Sequence, residues 1–304
     1  MMKKLIVAAC AATLPLIALA DGAASRVVKR TYQEMLQANA AARTPTIRYH
    51  GGPVMTAPVN TIYIVYYGSF PDTGSPKDTR AILNDFFAHI GGSGQYNVNT
   101  TYYDASGAYI QNALHFDRVA TVYDDSYSLG NAPRDSDIPT IVKNTINAGH
   151  LPVDENAIYF VVTSPDATSK LTSGCAWHDG STTLIPGHAI KYSSIPVYTG
   201  SKLDSCSGSV QNFGEHNSPN DNLEADNALD SFMHELSEAV SDPLPSSGWV
   251  ARGGGENGDL CNFNYGNTYL APNGMHASAH IGNRDYLVQT IWQRTGRGFC
   301  ANTL

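Results

Sequence analysis

Apolar residues in this chain come in short blocks separated by Gly, Pro, Ser and Asn, and the spacing inside each block sets the element it forms. Thr61 to Tyr67 is apolar long enough to be a buried strand, and Ala157 to Thr163 repeats the pattern. Between and after them the period changes to that of helices. Thr79 to Ile90 is closed by Gly91-Gly92, and Ile138 to Ala148 is stopped by Gly149. A further helix is expected over Asn227 to Val240, halted at Asp242-Pro243 because proline lacks the amide donor a helix needs. An amphipathic helix is also expected from Arg26 to Ala41, within an N-terminal arm or pro-segment covering residues 21–45. Tyr102 to Phe116 looks strand-like with turns, while Ser164 to Asn222 is punctuated by Gly, Ser and Pro. Strands alternating with helices predict an α/β fold with a mixed sheet, as one loop-rich, disulfide-bonded domain over residues 46–304.

Residues 1–20 set the compartment. Lys3 and Lys4, the apolar run Leu5 to Leu19, and Ala18-Leu19-Ala20 before Asp21 read as a secretory signal cut after Ala20. As a membrane anchor the run is short and broken by Pro15, and a lipoprotein cut at Cys10 would leave too few apolar residues before it. No later stretch is long and apolar enough to span a bilayer, so the product is expected to be secreted, or periplasmic in a bacterium. Export leaves Cys175, Cys206, Cys261 and Cys300 in an oxidising compartment. Four cysteines allow three pairings, and nearness in sequence favours Cys175 with Cys206 and Cys261 with Cys300. The alternative for Cys175, a nucleophile served by His178, is the weaker reading.

Composition narrows the function further. With 304 residues, 42% hydrophobic and 15% charged, the chain buries a sizeable core. A net charge of −8 without a Lys/Arg cluster argues against nucleic acid as the partner.

The helix near the C-terminal third carries the chemistry. It reads Ser231-Phe232-Met233-His234-Glu235-Leu236-Ser237-Glu238, an H-E-x-x-E pattern. Positions 234 and 238 lie about 40° apart around a helix axis and one turn along it, so both reach a single ion. Imidazole nitrogen and carboxylate oxygen suit Zn²⁺, and Glu235 is placed to act as general base on a coordinated water. Among ten histidines and seven glutamates, chance yields this pattern on the order of 0.005 times, which disfavours accident. The competing reading is a solvated helix face. A third ligand is sought in Gly253-Gly254-Gly255-Glu256-Asn257-Gly258-Asp259, where glycines permit close approach: Glu256 first, then Asp259, then Asp242 at the helix end. One histidine with two carboxylates leaves zinc formally neutral, which weakens activation of water and makes Ca²⁺, Mn²⁺ or Mg²⁺ alternatives. His50, His178, His276 and His280 lie near turn signals and read as surface or hydrogen-bonded residues. Asn99-Thr100-Thr101 is a glycosylation sequon if the host is eukaryotic.

Three stretches carry a family resemblance: Tyr49-His50-Gly51-Gly52-Pro53-Val54-Met55, Thr163-Ser164 with Cys175 to Gly180, and Asn283-Arg284-Asp285-Tyr286-Leu287 through Trp292 and Cys300. Over residues 46–304 the chain resembles the Exordium family of phosphate-induced proteins, which implies a secreted protein of the kind associated in plants with cell wall and growth. Plant members look apolar where this chain has His234-Glu235 and Glu238. The resemblance therefore points to a metal-competent, microbial-type branch to which the plant growth role does not transfer. The helix is also similar to the active-site helix of zincin metallopeptidases, by fold-level analogy. Together these imply a zincin-like domain acting as a metal-dependent hydrolase on peptide or protein substrates. The alternative is a non-enzymatic extracellular protein, with scattered Tyr and Trp meeting cell-wall polysaccharide and any metal serving only the fold.

Overall fold

The computed structural model describes residues 26–39 and 46–304, so the leader, its cut after Ala20 and Cys10 lie outside the described residues. The first half of the chain forms β1 (Val27–Lys29), α1 (Tyr32–Asn39), β2 (Ile47–Tyr49), β3 (Asn60–Tyr67), α2 (Thr79–His89), α3 (Gly94–Asn97), β4 (Leu114–Phe116), β5 (Val122–Asp124) and α4 (Ile138–Asn147). Then come β6 (Ala157–Thr163), β7 (Ala176–Ile185), β8 (His188–Pro196), α5 (Gly200–Cys206), α6 (Leu223–Ser241) and β9 (Trp249–Ala251). Short strands paired as three hairpins follow, between Tyr269 and Ala301.

The main sheet runs β1-β7-β8-β6-β3-β4, with β5 also pairing β3. Its centre is parallel and its β7–β8 and β1–β7 pairs are antiparallel, so the sheet is mixed. Because side chains alternate along a strand, β3 sends Ile62, Ile64 and Tyr66 to a core shared with α2 and α6. It sends Tyr63, Val65 and Tyr67 to a second core shared with α4. Burial on both faces explains the unbroken apolar runs of β3 and β6. Phe232 fixes α6 on its layer, with ring centroids 4.6 Å from Phe87 on α2 and 4.4 Å from Phe160 on β6. Truncating such a buried ring costs about 3–5 kcal/mol.

Three expectations are corrected. The helix expected from Arg26 to Ala41 is, over its described residues 26–39, a strand followed by a helix: β1 pairs with β7, and Tyr32–Asn39 is helical. Edge pairing outweighs the local helical period there. Within Tyr102 to Phe116 only Leu114–Phe116 is a strand, and Tyr103 meets Tyr109 in an isolated bridge. The stretch after Ser164 holds the long β7–β8 hairpin, which turns at Pro186-Gly187 with Gly187 at φ +83°. Its strands carry Gly180, Ser181, Thr182, Ser193 and Ser194, polar or small residues that conceal the alternation. The sequon is also corrected: Asn99 is fully buried and its Nδ2 donates to Ser237 Oγ at 3.3 Å, so the folded chain does not present it for glycosylation.

Both disulfides pair as nearness in sequence favoured, Cys175 with Cys206 and Cys261 with Cys300. Bonding of Cys175 removes the nucleophile alternative. The second bridge lies two residues after Asp259 and ties that loop to the C-terminal hairpin.

Candidate metal centre

Helix α6 starts at Asn222, whose side chain accepts from the Ala225 amide, and its Ser241 end gives way to Asp242-Pro243. One face, with Ala228, Leu229, Phe232, Leu236 and Val240, packs on the core. The opposite stripe carries Asp230, His234, Glu235 and Glu238, and it too is buried, at 2% exposure or less. The solvated-face reading therefore fails: these polar groups face protein.

Two elements close over that stripe. Strand β7 turns Trp177 toward α4 and, one residue on, His178 toward α6. The loop after β9 brings Glu256 and Asp259 down onto the helix. Asn257 Nδ2 donates to the Ser237 carbonyl at 3.1 Å, and the Asp259 amide donates to Glu238 Oε1 at 2.9 Å. Gly258 is required at the crossing, since a Cβ there would lie 2.9 Å from Glu238 Oε1 and 3.0 Å from His234 Cγ.

The hydrogen bonds fix which ring nitrogens are free. Gln289 Nε2 donates to the Gly258 carbonyl at 2.9 Å, so its Oε1 is the acceptor facing His234 Nδ1 at 3.0 Å. His234 Nδ1 thus carries the proton and Nε2 offers a lone pair. By the same logic His178 Nδ1 donates to Glu235 Oε2 at 3.0 Å, leaving its Nε2 free. Among the described residues neither Nε2 makes a well-directed hydrogen bond, and neither do Glu238 Oε2, both Glu256 carboxylate oxygens and Asp259 Oδ1. Buried polar atoms are normally paired, so this many orphans converging on one region point to a ligand.

These atoms form two triads that share Glu238: His234, Glu238 and Asp259, and His178, Glu238 and Glu256. His234 Nε2 is 3.0 Å from Glu238 Oε1 and 3.9 Å from Asp259 Oδ1; His178 Nε2 is 3.7 Å from Glu256 Oε2. Donors about 2.1 Å from a tetrahedral zinc sit about 3.4 Å apart, which these spacings bracket. The residues present therefore fit a divalent cation.

In the metal-free cluster the electrostatics favour a proton on each ring Nε2, which a cation would displace on binding. Burial pushes Glu256 well up, helped by Glu238, Asp242 and Asp259, and raises Asp259 to about 7. Burial likewise raises Glu235. Burial works to lower His234 and His178, yet Glu238 beside the first, and Glu256, Glu235 and Glu238 around the second, outweigh it; His234 rises to about 9 and His178 well above its usual value. Burial would raise Glu238, but the two histidines hold it down at about 2. The cluster as a whole draws positive charge.

Of the residues singled out in the sequence, the structure brings together His234, Glu235, Glu238, Glu256 and Asp259. Asp242 stands outside both triads. Its Oδ1 accepts from the Ser247 and Gly248 amides and its Oδ2 from the Ser246 amide, which holds the turn that follows the helix. Sequence reasoning misses His178 as a member of the cluster: of the two expected states, surface or hydrogen-bonded, it takes the second, fully buried among Glu235, Glu238 and Glu256. The signal that points to it, the alternation of β7, is hidden in the sequence by the Gly180-to-Thr183 run. His50 is exposed, His276 stacks on Phe213 and binds Glu215, and His280 binds Asp285 at the surface.

Glu235 is engaged on both oxygens, Oε2 by His178 and Oε1 by the Lys29 amide of β1 at 3.2 Å. A depression of about 510 Å³ lies alongside, lined by Arg26, Val28, Arg30, Glu34 and Asp259 among others.

A family model described as "Phosphate-induced protein 1 conserved region" matches residues 47–301. Among curated proteins, the chain is similar to "Protein EXORDIUM-like 5" of Arabidopsis thaliana, 25% identical over 292 residues, covering 84% of this chain and 71% of that protein. It is also similar to "Protein EXORDIUM-like 3" of the same plant, 23% identical over 286 residues, covering 81% and 80%. No solved structure matches.

Proposed function

The chain belongs to the phosphate-induced protein 1 family, and on that premise we propose that it is a metal-competent member: an exported, zincin-like, metal-dependent hydrolase acting on peptide bonds. The convergence of unpartnered, buried Nε2 and carboxylate atoms around Glu238 carries this reading. His234, Glu238 and Asp259 hold the cation, zinc by the mix of nitrogen and oxygen donors, with Mn²⁺ or Ca²⁺ as alternatives. A bound cation supplies Lewis acidity, polarising a carbonyl and making water more acidic. Glu235 accepts the proton at Oε1, the oxygen on which the Lys29 amide now sits, while His178 steadies Oε2. Gln289 keeps the His234 lone pair aimed inward. The two disulfides, the Arabidopsis relatives and the absence, among the described residues, of a helix fit to cross a membrane are consistent with an extracellular site of action.

The test is zinc content by elemental analysis alongside cleavage of denatured proteins. Glu235→Gln keeps the metal and loses turnover, whereas His234→Ala loses the metal; full activity in either variant refutes the assignment. Full burial of the cluster favours one other reading, a non-enzymatic extracellular binding protein with a structural cation. One equivalent of zinc that raises the melting temperature without any hydrolysis selects it.

A further inference from the structure

Strand β1 lies against Glu235, the residue assigned above as the base. It pairs antiparallel with β7 at the edge of the sheet, Val27 opposite His178, Val28 opposite Trp177 and Lys29 opposite Ala176. Its contacts are largely main-chain: the Lys29 amide donates to Glu235 Oε1 at 3.2 Å, and the Lys29 carbonyl accepts from the Cys175 amide at 2.7 Å. Any extended chain makes such bonds, the usual way a sheet edge takes up a peptide.

One side chain of the segment is specific. Lys29 is fully buried, and lysine is almost never so without a partner. Its Nζ lies 2.5 Å from Asp230 Oδ2 and 5.7 Å from the centre of the Phe263 ring. Tyr265 Oη donates to the same Asp230 oxygen at 3.0 Å, and Ser231 Oγ is 3.5 Å from the amine. The family match begins at residue 47, so β1 and α1 precede it while every partner of Lys29 named above lies inside it. The pocket belongs to the family domain; its occupant does not.

We propose that the groove between β7 and the Glu235 face of α6 is a binding site for an extended polypeptide with a lysine in the Asp230 pocket, and that residues 26–39 fill it as an internal occupant. The proposal rests on the peptide-hydrolase reading for its catalytic meaning. Binding alone stands apart from that reading.

The test places a site for a sequence-specific protease within residues 40–45 of the full chain. After cutting, exchange of the native segment for a fluorescent peptide of residues 26–39 is followed by anisotropy. The labelled peptide is expected to enter, and its Lys29→Ala version to bind at least about a hundredfold more weakly, since removing the lysine leaves Asp230 a buried charge without its counter-ion. Equal affinity of the two peptides overturns the proposal. So does a cut chain that refuses exchange against a large excess of peptide, or one that unfolds when the segment leaves, because β1 is then a built-in strand. Peptide hydrolysis with added zinc is read separately: selective binding without cleavage sinks the hydrolase reading and leaves the groove intact.

Discussion

Replacing Lys29 with Met tests a lysine–carboxylate pair held almost entirely out of solvent. The two side chains are 0% and 3% exposed, with 2.5 Å between amine and carboxylate. Methionine fills much of the lysine volume, so the loss is chiefly that of the charge. Removing one member of a buried pair costs about 3–5 kcal/mol, because the survivor keeps its desolvation penalty without its partner. Asp230 retains two donors, Tyr265 Oη at 3.0 Å and the Gln289 amide at 2.7 Å, which puts the expected loss at the lower end, about 3 kcal/mol. For a domain of this size that is a fall in melting temperature of roughly 6–12 °C. The assay is urea and thermal unfolding with both disulfides intact, on Lys29→Met, Asp230→Asn and the double variant. Asparagine keeps an oxygen for the Gln289 amide and a donor for the tyrosine oxygen, so the double variant should recover most of the loss. A Lys29→Met cost below about 1 kcal/mol, within the range of exposed pairs, refutes the buried pair and the lysine pocket with it. A double variant as unstable as the sum of the singles refutes the coupling.

Zinc in about hundredfold excess over its dissociation constant should stabilise the chain by about 2.7 kcal/mol, roughly 5–11 °C in melting temperature. Glu238→Gln, which alters the residue common to both triads, should abolish that shift; an undiminished shift means the ion binds elsewhere. Gln289→Leu leaves every ligand in place but frees the His234 ring, so calorimetric zinc affinity should drop about 10–100-fold, and unchanged affinity would show that the amide does not orient it. Burial raises the Asp226 carboxyl to about 6, although the Ser218 and Asn220 contacts oppose the rise. A raised acid pKa favours the folded state at low pH and loses that contribution between about pH 4 and 6 as the unfolded group ionises first. Asp226→Asn should flatten the urea midpoint over that window, and identical profiles would count against the assignment.

The apolar runs at β3 and β6 were legible because central parallel strands are covered on both faces and need no alternation. α6 was legible from its periodicity and Asp242-Pro243, although it starts at Leu223 behind the Asn222 cap and not at Asn227, and the i,i+4 pair on it forms one edge of a triad. β7 was not, since Gly180 and the Ser181-Thr182-Thr183 run hide a strand whose inward residue is His178. The glycine-rich acidic loop was legible as a region, but which carboxylate meets which histidine was not. Glu256 and Asp259 lie three residues apart, and only the path of the loop across Gly258 decides that Asp259 faces His234 while Glu256 faces His178. Local pattern also misread β1, whose strand state depends on an edge supplied by residues about 150 positions later.

The arrangement is costly unless it binds something. Glu235, Glu238, Glu256 and Asp259 place four carboxylates around two imidazoles, nearly all out of solvent, and each buried ion costs several kcal/mol unless compensated. A folding role alone would favour apolar side chains of similar volume. Instead the chain spends further structure on holding these groups still. Gln289 commits its amide to set one ring, Glu235 sets the other, Asn257 clips the loop to α6, and the Cys261–Cys300 bridge anchors that loop two residues beyond Asp259. The first two devices orient the rings and the last two hold the loop that carries Glu256 and Asp259, and none of them bonds to the open Nε2 and carboxylate atoms. A self-contained hydrogen-bond network would close those valences, whereas a cation site has to leave them open.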